Sequence, residues 1–185
     1  MKDKYNLDDM KAVLPNMKSQ MEKEAEDDII LTLLGNRLGL ARSLKGYTHR
    51  QMAEKAGISW PYYKQMEYGS CSVPIDRIVK LCQITETNPN FFFLESEELK
   101  TPDKRFLNRN FTLKMIGELL EKAMNESKLE TDEFMLRLWE SGIHMSSSRF
   151  ERIKRGKLHI TTVTFVRICR VLEITPDRFF MVTAK

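Results

Sequence analysis

The chain has 185 residues, 42% hydrophobic and 30% charged, with eight Gly and six Pro. That length suits one large domain or two small ones, and the composition excludes a disordered or collagen-like chain and favours helices. The net charge of +4 is mild, no apolar run reaches the roughly 18 to 20 residues of a membrane span, and the opening "MKDKYNLDDMK" holds no apolar leader, so a cytoplasmic protein with no membrane partner is expected.

Residues 1–28 read as an N-terminal helical arm. Leu7, Met10, Leu14, Met17 and Met21 keep an a/d spacing, which Pro15 is expected to kink or interrupt. Three short, Met-rich heptads fit a helix docked on a domain or on a partner chain better than an autonomous coiled coil. The arm carries 5 basic and 8 acidic residues, whereas residues 29–93 carry 8 and 4, so an acidic segment leads into a basic one.

Two copies of one phrase follow. "CQITETNPNFFF" at 82–93 returns as "CRVLEITPDRFF" at 169–180, and Gly69/Gly156, Cys82/Cys169, Pro89/Pro176 and Phe92/Phe179 are each 87 apart. Gly35 pairs with Gly117 at a shift of 82 and Met52 with Met135 at 83, so the second copy has gained about five residues by insertion. Ile75, Ile78, Val79 and Cys82 in one copy, and Thr162, Phe165, Val166 and Cys169 in the other, follow the i, i+3, i+4, i+7 spacing of a helical core face. Asn88 before Pro89, and Thr175 before Pro176, read as N-caps with Pro at the first helical position, opening a short last helix whose Phe pair plugs each bundle.

In the first copy, residues 47–69 read YTHRQMAEKAGISWPYYKQMEYG. Thr48 with Gln51 forms a capping box that starts a helix near His49, and Gly57 supplies the left-handed residue that ends it. Ser59 caps a second helix that tolerates Pro61 in its first turn. Two short helices joined by a Gly-containing turn make a helix-turn-helix, with Met52, Ala56, Ile58, Tyr63 and Met66 facing inward and the small Ala53 at the crossing. The segment 98–110 is polar and broken by Pro102, which fits a linker.

Leu34-Gly35, Arg42, Thr48, Ala53, Gly57-Ile58-Ser59, Glu67, Gly69 and Pro74 together resemble the phage Cro/CI repressor (XRE) family of DNA-binding domains. The resemblance implies an all-α protein of two tandem five-helix, lambda-repressor-like helix-turn-helix domains: the arm 1–28, domain 1 at 29–97, the linker 98–110 and a degenerate domain 2 at 111–185. It implies that Arg42 pairs with Glu67 as structure, along with Ala53 and Gly57. It also implies that the helix at 59–67 enters the major groove of double-stranded DNA with Ser59, Trp60, Tyr62, Lys64 and Gln65, while Thr48, His49 and Arg50 approach phosphate. Gln65 is the best base reader, since Gln can be bidentate to adenine. The bland reading of Trp60, Tyr62, Tyr63 and Tyr68 is packing or a protein-binding patch.

The second copy departs from the pattern. Leu136 is expected at the Ala53 position, Trp139-Glu140-Ser141-Gly142 in a lengthened turn, and Met124 and Lys154 stand where Arg42 and Glu67 do. "SSSRFERIKRGK" nevertheless sets Ser146, Ser147, Ser148, Arg149, Arg152, Lys154, Arg155 and Lys157 on or just after the equivalent of the reading helix, a second surface for DNA phosphate or for a protein partner.

Catalytic signatures are missing from the sequence: no Gly-rich phosphate loop, no HExxH and no GxSxG occur, and Cys71, Cys82 and Cys169 form no CxxC pair. The chain therefore reads as a non-enzyme without metal or cofactor. The leading expectation is a sequence-specific transcriptional regulator, a bacterial or phage repressor. The alternative is a protein-binding helix-turn-helix module, antitoxin-like or a counter-defence inhibitor, with domain 2 or the arm serving homodimerisation or a partner.

Overall fold

The computed structural model describes the backbone of residues 7–94, 107 and 110–181, and the side chains of residues 21–94, 107 and 110–180. The described chain is all-helical, and no helix in it is long and apolar enough to cross a membrane. The linker expected at 98–110 lies almost wholly outside the described residues, as do the side chains of Leu7, Met10, Leu14 and Met17.

The first half holds α1 (Leu7–Leu44), α2 (His49–Ala56), α3 (Trp60–Glu67), α4 (Ile75–Thr85) and α5 (Pro89–Phe93). The second holds α6 (Leu113–Glu126), α7 (Thr131–Glu140), α8 (Ser147–Lys154), α9 (Thr162–Val171) and α10 (Pro176–Met181). The expected division between arm and domain at 28/29 falls inside α1, which runs as one helix through Pro15. Met21, the last residue of the expected seam, is 66% exposed rather than buried as a seam residue would be.

Local signals place the helix ends. The Thr48 hydroxyl accepts from Gln51 N at 3.2 Å and Gln51 Oε1 accepts from Thr48 N at 2.8 Å, which closes the capping box of α2. Gly57, at φ 69°, ends the helix in the left-handed region that a side chain would strain. Asn88 caps α5 by accepting from Asn90 N. Ser59 differs from expectation: it has the extended backbone of an N-cap, but its hydroxyl makes no cap bond.

Helix crossings are tightest where α1 meets the end of α3, and α6 the end of α8. A Cβ on Gly35 would stand 2.5 Å from the Glu67 carbonyl oxygen, and one on Gly117 only 2.0 Å from that of Lys154. Glycine at both places lets the backbones touch.

The expected pairing of Ala53 with Leu136 is corrected by burial. Phe134 and Leu138 are the buried residues of α7, Met135 is half-buried and Leu136 is 57% exposed. Counted from the helix starts at Thr48 and Glu130, the shift is still 82 there, and it reaches 87 by Ser59 and Ser146. The inserted residues lengthen α7 to Glu140, so Trp139 and Glu140 are helical rather than in the turn.

The halves share one hydrophobic core, and their contact is reciprocal. Ile75 N donates to Ile160 O at 2.8 Å, and Thr162 N donates to Val73 O at 2.8 Å. The 87-residue shift carries 73 to 160 and 75 to 162, so each bond is the image of the other, and Pro74 bridges its own equivalent Thr161. This is the signature of a twofold, isologous contact, here inside one chain. α4 packs on α9 and α5 on α10 about the same axis. Asn90 Oδ1 accepts from Asp177 N at 2.9 Å, so the first half caps the last helix of the second. The Thr175 hydroxyl, expected to cap α10, donates to the Asp177 carboxylate instead. Phe93 reaches across to the Phe165 ring at 5.4 Å, and Phe165 contacts Phe179 and Phe180. Each fully buried Phe contributes about 1.5–3 kcal/mol.

The acidic end of the arm also joins the halves. Arg167 on α9 is buried and donates to Asp27 at 2.6 Å, to Glu26 at 3.3 Å and to the Lys23 carbonyl at 3.4 Å, while Arg170 pairs with Glu26. Burial first, then neighbouring acids, raise the Asp27 pKa above its ordinary value against the pull of Arg167.

Candidate nucleic-acid interface

The frame of α3 is an ion pair. Arg42 donates to Glu67 through Nε at 2.9 Å and Nη2 at 2.7 Å, a bidentate fork, and through Nη1 to the Tyr47 carbonyl at 2.8 Å. Burial works against the Glu67 charge, but the bonds and charge of Arg42 and the nearby His49 outweigh it, and the carboxyl stays below its ordinary pKa. Tyr63 is buried beside the pair, and desolvation followed by the Glu67 charge pushes its phenol pKa up. The end of the helix is thus held by α1 through a charged brace and through the Gly35 contact.

Burial of Tyr63 and Met66 turns the opposite side of α3 outward. Trp60, Pro61, Gln65 and Tyr68 are exposed on it and Lys64 is half-buried. Trp60 is flanked by two cations, with the Arg50 guanidinium 5.7 Å and the Lys64 ammonium 6.0 Å from its ring, and Lys64 also lies 5.4 Å from the Tyr68 ring. Such contacts hold long cationic chains over an aromatic platform at a gain of about 0.5–1 kcal/mol each at exposed sites. Tyr68, 67% exposed, is a member of this face that the groove-reading set left out. Trp60, Lys64 and Tyr68 follow one another at intervals of four residues, and that spacing is the signal that finds it.

Of the residues expected at the groove, Trp60, Lys64 and Gln65 lie on this face, with Arg50 beside it and Ser59 exposed at the start of the helix. Three others are otherwise engaged. His49 turns inward, with Nε2 3.4 Å from Glu67 Oε1 and its ring edge-on to Tyr63. Tyr62 is half-buried, and its phenol pKa is raised by desolvation and then by Cys71, next to the start of α4. The Thr48 hydroxyl donates to Gln51 Oε1 at 3.1 Å within the capping box.

The second half presents a different surface at the equivalent place. Phe150 and Ile153 are buried, and Ser147, Ser148, Arg149 and Arg152 are exposed on α8, with Arg155 exposed just past its end. The Ser146 hydroxyl caps the helix by accepting from Arg149 N and lies 3.0 Å from that of Ser148. Lys154 leaves the expected cation set: its ammonium pairs with Glu151 at 2.5 Å and covers the Phe150 ring. Among the described residues no ion pair replaces Arg42–Glu67 at this place. Met124 is buried at the Arg42 position, and a cavity of about 270 Å³ opens beside it, lined by Glu121, Asn125, Lys128, Glu130 and Lys154 among others. On the neighbouring α7, Trp139 is 59% exposed and stacks on His144 at 5.0 Å.

Cys82 and Cys169 are buried free thiols with raised pKa, and among the described residues no group of three or more His, Cys, Asp or Glu could hold a metal ion. No protein-family model, curated protein or solved structure matches the chain.

Proposed function

We propose that each half is a five-helix, Cro/CI-like helix-turn-helix unit and that the protein is a sequence-specific DNA-binding transcriptional regulator, a bacterial or phage repressor that acts by occupying operator DNA. The observation that carries this reading is the outward face of α3. A rigidly braced helix presents an exposed amide, Gln65, on the same outward side as an aromatic, Trp60, that two cations, Lys64 and Arg50, flank. In a major groove Gln65 can accept from and donate to an adenine edge, Trp60 can cover a thymine methyl, and Arg50 and Lys64 neutralise phosphates. The inward turn of His49 and Tyr62 leaves them as supports for the brace and for α4.

The test is binding of the full chain to a duplex selected from random sequence, measured across salt. The reading expects affinity that falls steeply with salt, and a loss of about 1–3 kcal/mol of discrimination at one base position for Gln65→Ala. Equal affinity for unrelated duplexes would refute it.

A second reading rests on Leu136 and Trp139, one helical turn apart and both exposed on α7. Such an apolar pair favours a protein partner for the second half, in the manner of an antitoxin or a counter-defence inhibitor.

A further inference from the structure

We propose that one chain binds DNA as a monomer on an asymmetric, two-part site, with α3 reading bases in one part and α8 gripping phosphates in the other without reading sequence. This rests on the DNA reading of α3 given above, and adds to it a second binding surface, a stoichiometry and the form of the target.

The first support is the twofold relation between the halves. A duplex has local dyads of its own, and a protein whose reading elements share such an axis meets two segments of backbone about one helical turn, 34–36 Å, apart. Two separate chains normally supply that symmetry, whereas here the images of one bond pair, Ile75 to Ile160 and Thr162 to Val73, supply it within one chain. α3 ends at Glu67, seven positions before Pro74, and α8 ends at Lys154, seven positions before Thr161, and those two residues form the bridge. The two helices are therefore set off from one axis by connections of equal length. The shared core, the Asn90 cap on α10 and the arm's grip on Arg167 fix the halves as one body rather than two beads on a tether.

The second support is the position-by-position exchange of chemistry. Across the 87-residue shift Trp60 becomes Ser147, Tyr62 becomes Arg149, Gln65 becomes Arg152 and Tyr68 becomes Arg155. The aromatic platform and the amide are gone, and an exposed row of guanidinium groups with serine hydroxyls stands in their place. Lys157 just beyond the helix is exposed as well, while Lys154 is held by Glu151. Guanidinium and hydroxyl groups match phosphate oxygens, and double-stranded DNA is the anionic partner proposed above for α3.

The third support concerns precision. Reading a base edge needs a helix fixed to within a fraction of an ångström, whereas phosphate contacts tolerate small adjustments. α3 has the Arg42–Glu67 fork, and α8 has Met124, an inward Lys154 and the 270 Å³ cavity in its place, along with a longer connection from α7. The half that lost its brace also lost its base-reading side chains.

The test uses the full chain on a duplex that it selects from a random library, compared with an Arg149→Ala/Arg152→Ala/Lys157→Ala variant whose changes are all on exposed positions. The proposal expects a one-to-one complex, a selected motif confined to one part of the site, and a hydroxyl-radical footprint that runs about one helical turn past the motif on one side. The variant should select the same motif, lose the extension of the footprint, and show a log–log salt slope smaller by about 2.7, three phosphates at roughly 0.9 each. A palindromic motif bound by two chains overturns the proposal, as does a variant with unchanged slope and footprint, and either result leaves the reading role of α3 standing. Failure of the wild-type chain to select any motif overturns both.

Discussion

Replacing Arg42 with Met, the residue the second half carries at this place, isolates the brace that holds α3. The side chains of Arg42 and Glu67 are 15% and 11% exposed, so removal of one partner leaves a mostly buried charge uncompensated, at a cost of about 3–5 kcal/mol for a fully buried pair and nearer 3 here. Arg42→Met also strands the Tyr47 carbonyl, which adds about 1 kcal/mol that Glu67→Gln does not incur. In Arg42→Met/Glu67→Gln neither charge is left buried, and the double variant should be more stable than the sum of the single losses predicts, by about 2 kcal/mol. Urea unfolding of the four proteins reads this coupling. The sign with pH follows from the depressed Glu67 pKa: its contribution is present above the ordinary carboxylate value of about 4.3 and is lost as pH falls below that through the folded value. The gap between wild type and Glu67→Gln should therefore narrow on acidification. Additive single losses, or a gap that widens as pH falls, would refute the reasoning.

Other consequences can be measured on the same protein. Gly117→Ala places a Cβ 2.0 Å from the Lys154 carbonyl, so α6 or α8 must back off by about 1 Å, and a loss towards the upper end of about 1–3 kcal/mol is expected in thermal or urea melts. Arg167→Met leaves Asp27 and Glu26 partly exposed and free to hydrate, so it should cost only about 1–2 kcal/mol globally while speeding proteolysis of the arm around residues 22–28. A thiol reagent should modify the half-buried Cys71 in the native protein, slowly because burial raises its pKa, and reach Cys82 and Cys169 only on unfolding.

The parts of this structure that were legible in the sequence are those whose physics is local. The capping box at Thr48–Gln51, the left-handed Gly57, the Asn88 cap before Pro89 and the core faces of α4 and α9 each depend on residues within one or two turns of each other, and all are present. The Arg42–Glu67 pair spans 25 residues, and was readable only through resemblance to a known arrangement. Insertion misled the register of α7. A shift read from Met52 and Met135 ignores that the added residues extend the helix, and only the burial of Phe134 and Leu138 shows which side faces in. Among the contacts between the halves, the two backbone bonds at 73–75 and 160–162 and the Asn90 cap leave no periodic trace. The inward turn of His49 and Tyr62 was hidden for a similar reason: each answers to neighbours far along the chain, Glu67 for one and the start of α4 for the other.

Selection from a random duplex library, run in parallel with the full chain and with Lys64→Ala/Gln65→Ala, tests the central claim most directly. The account predicts that the wild-type chain enriches one motif and that the variant, with its fold intact by circular dichroism, does not. If nothing is enriched at low salt beyond non-specific binding, or if the variant enriches the same motif as strongly, α3 does not read DNA and the account is contradicted.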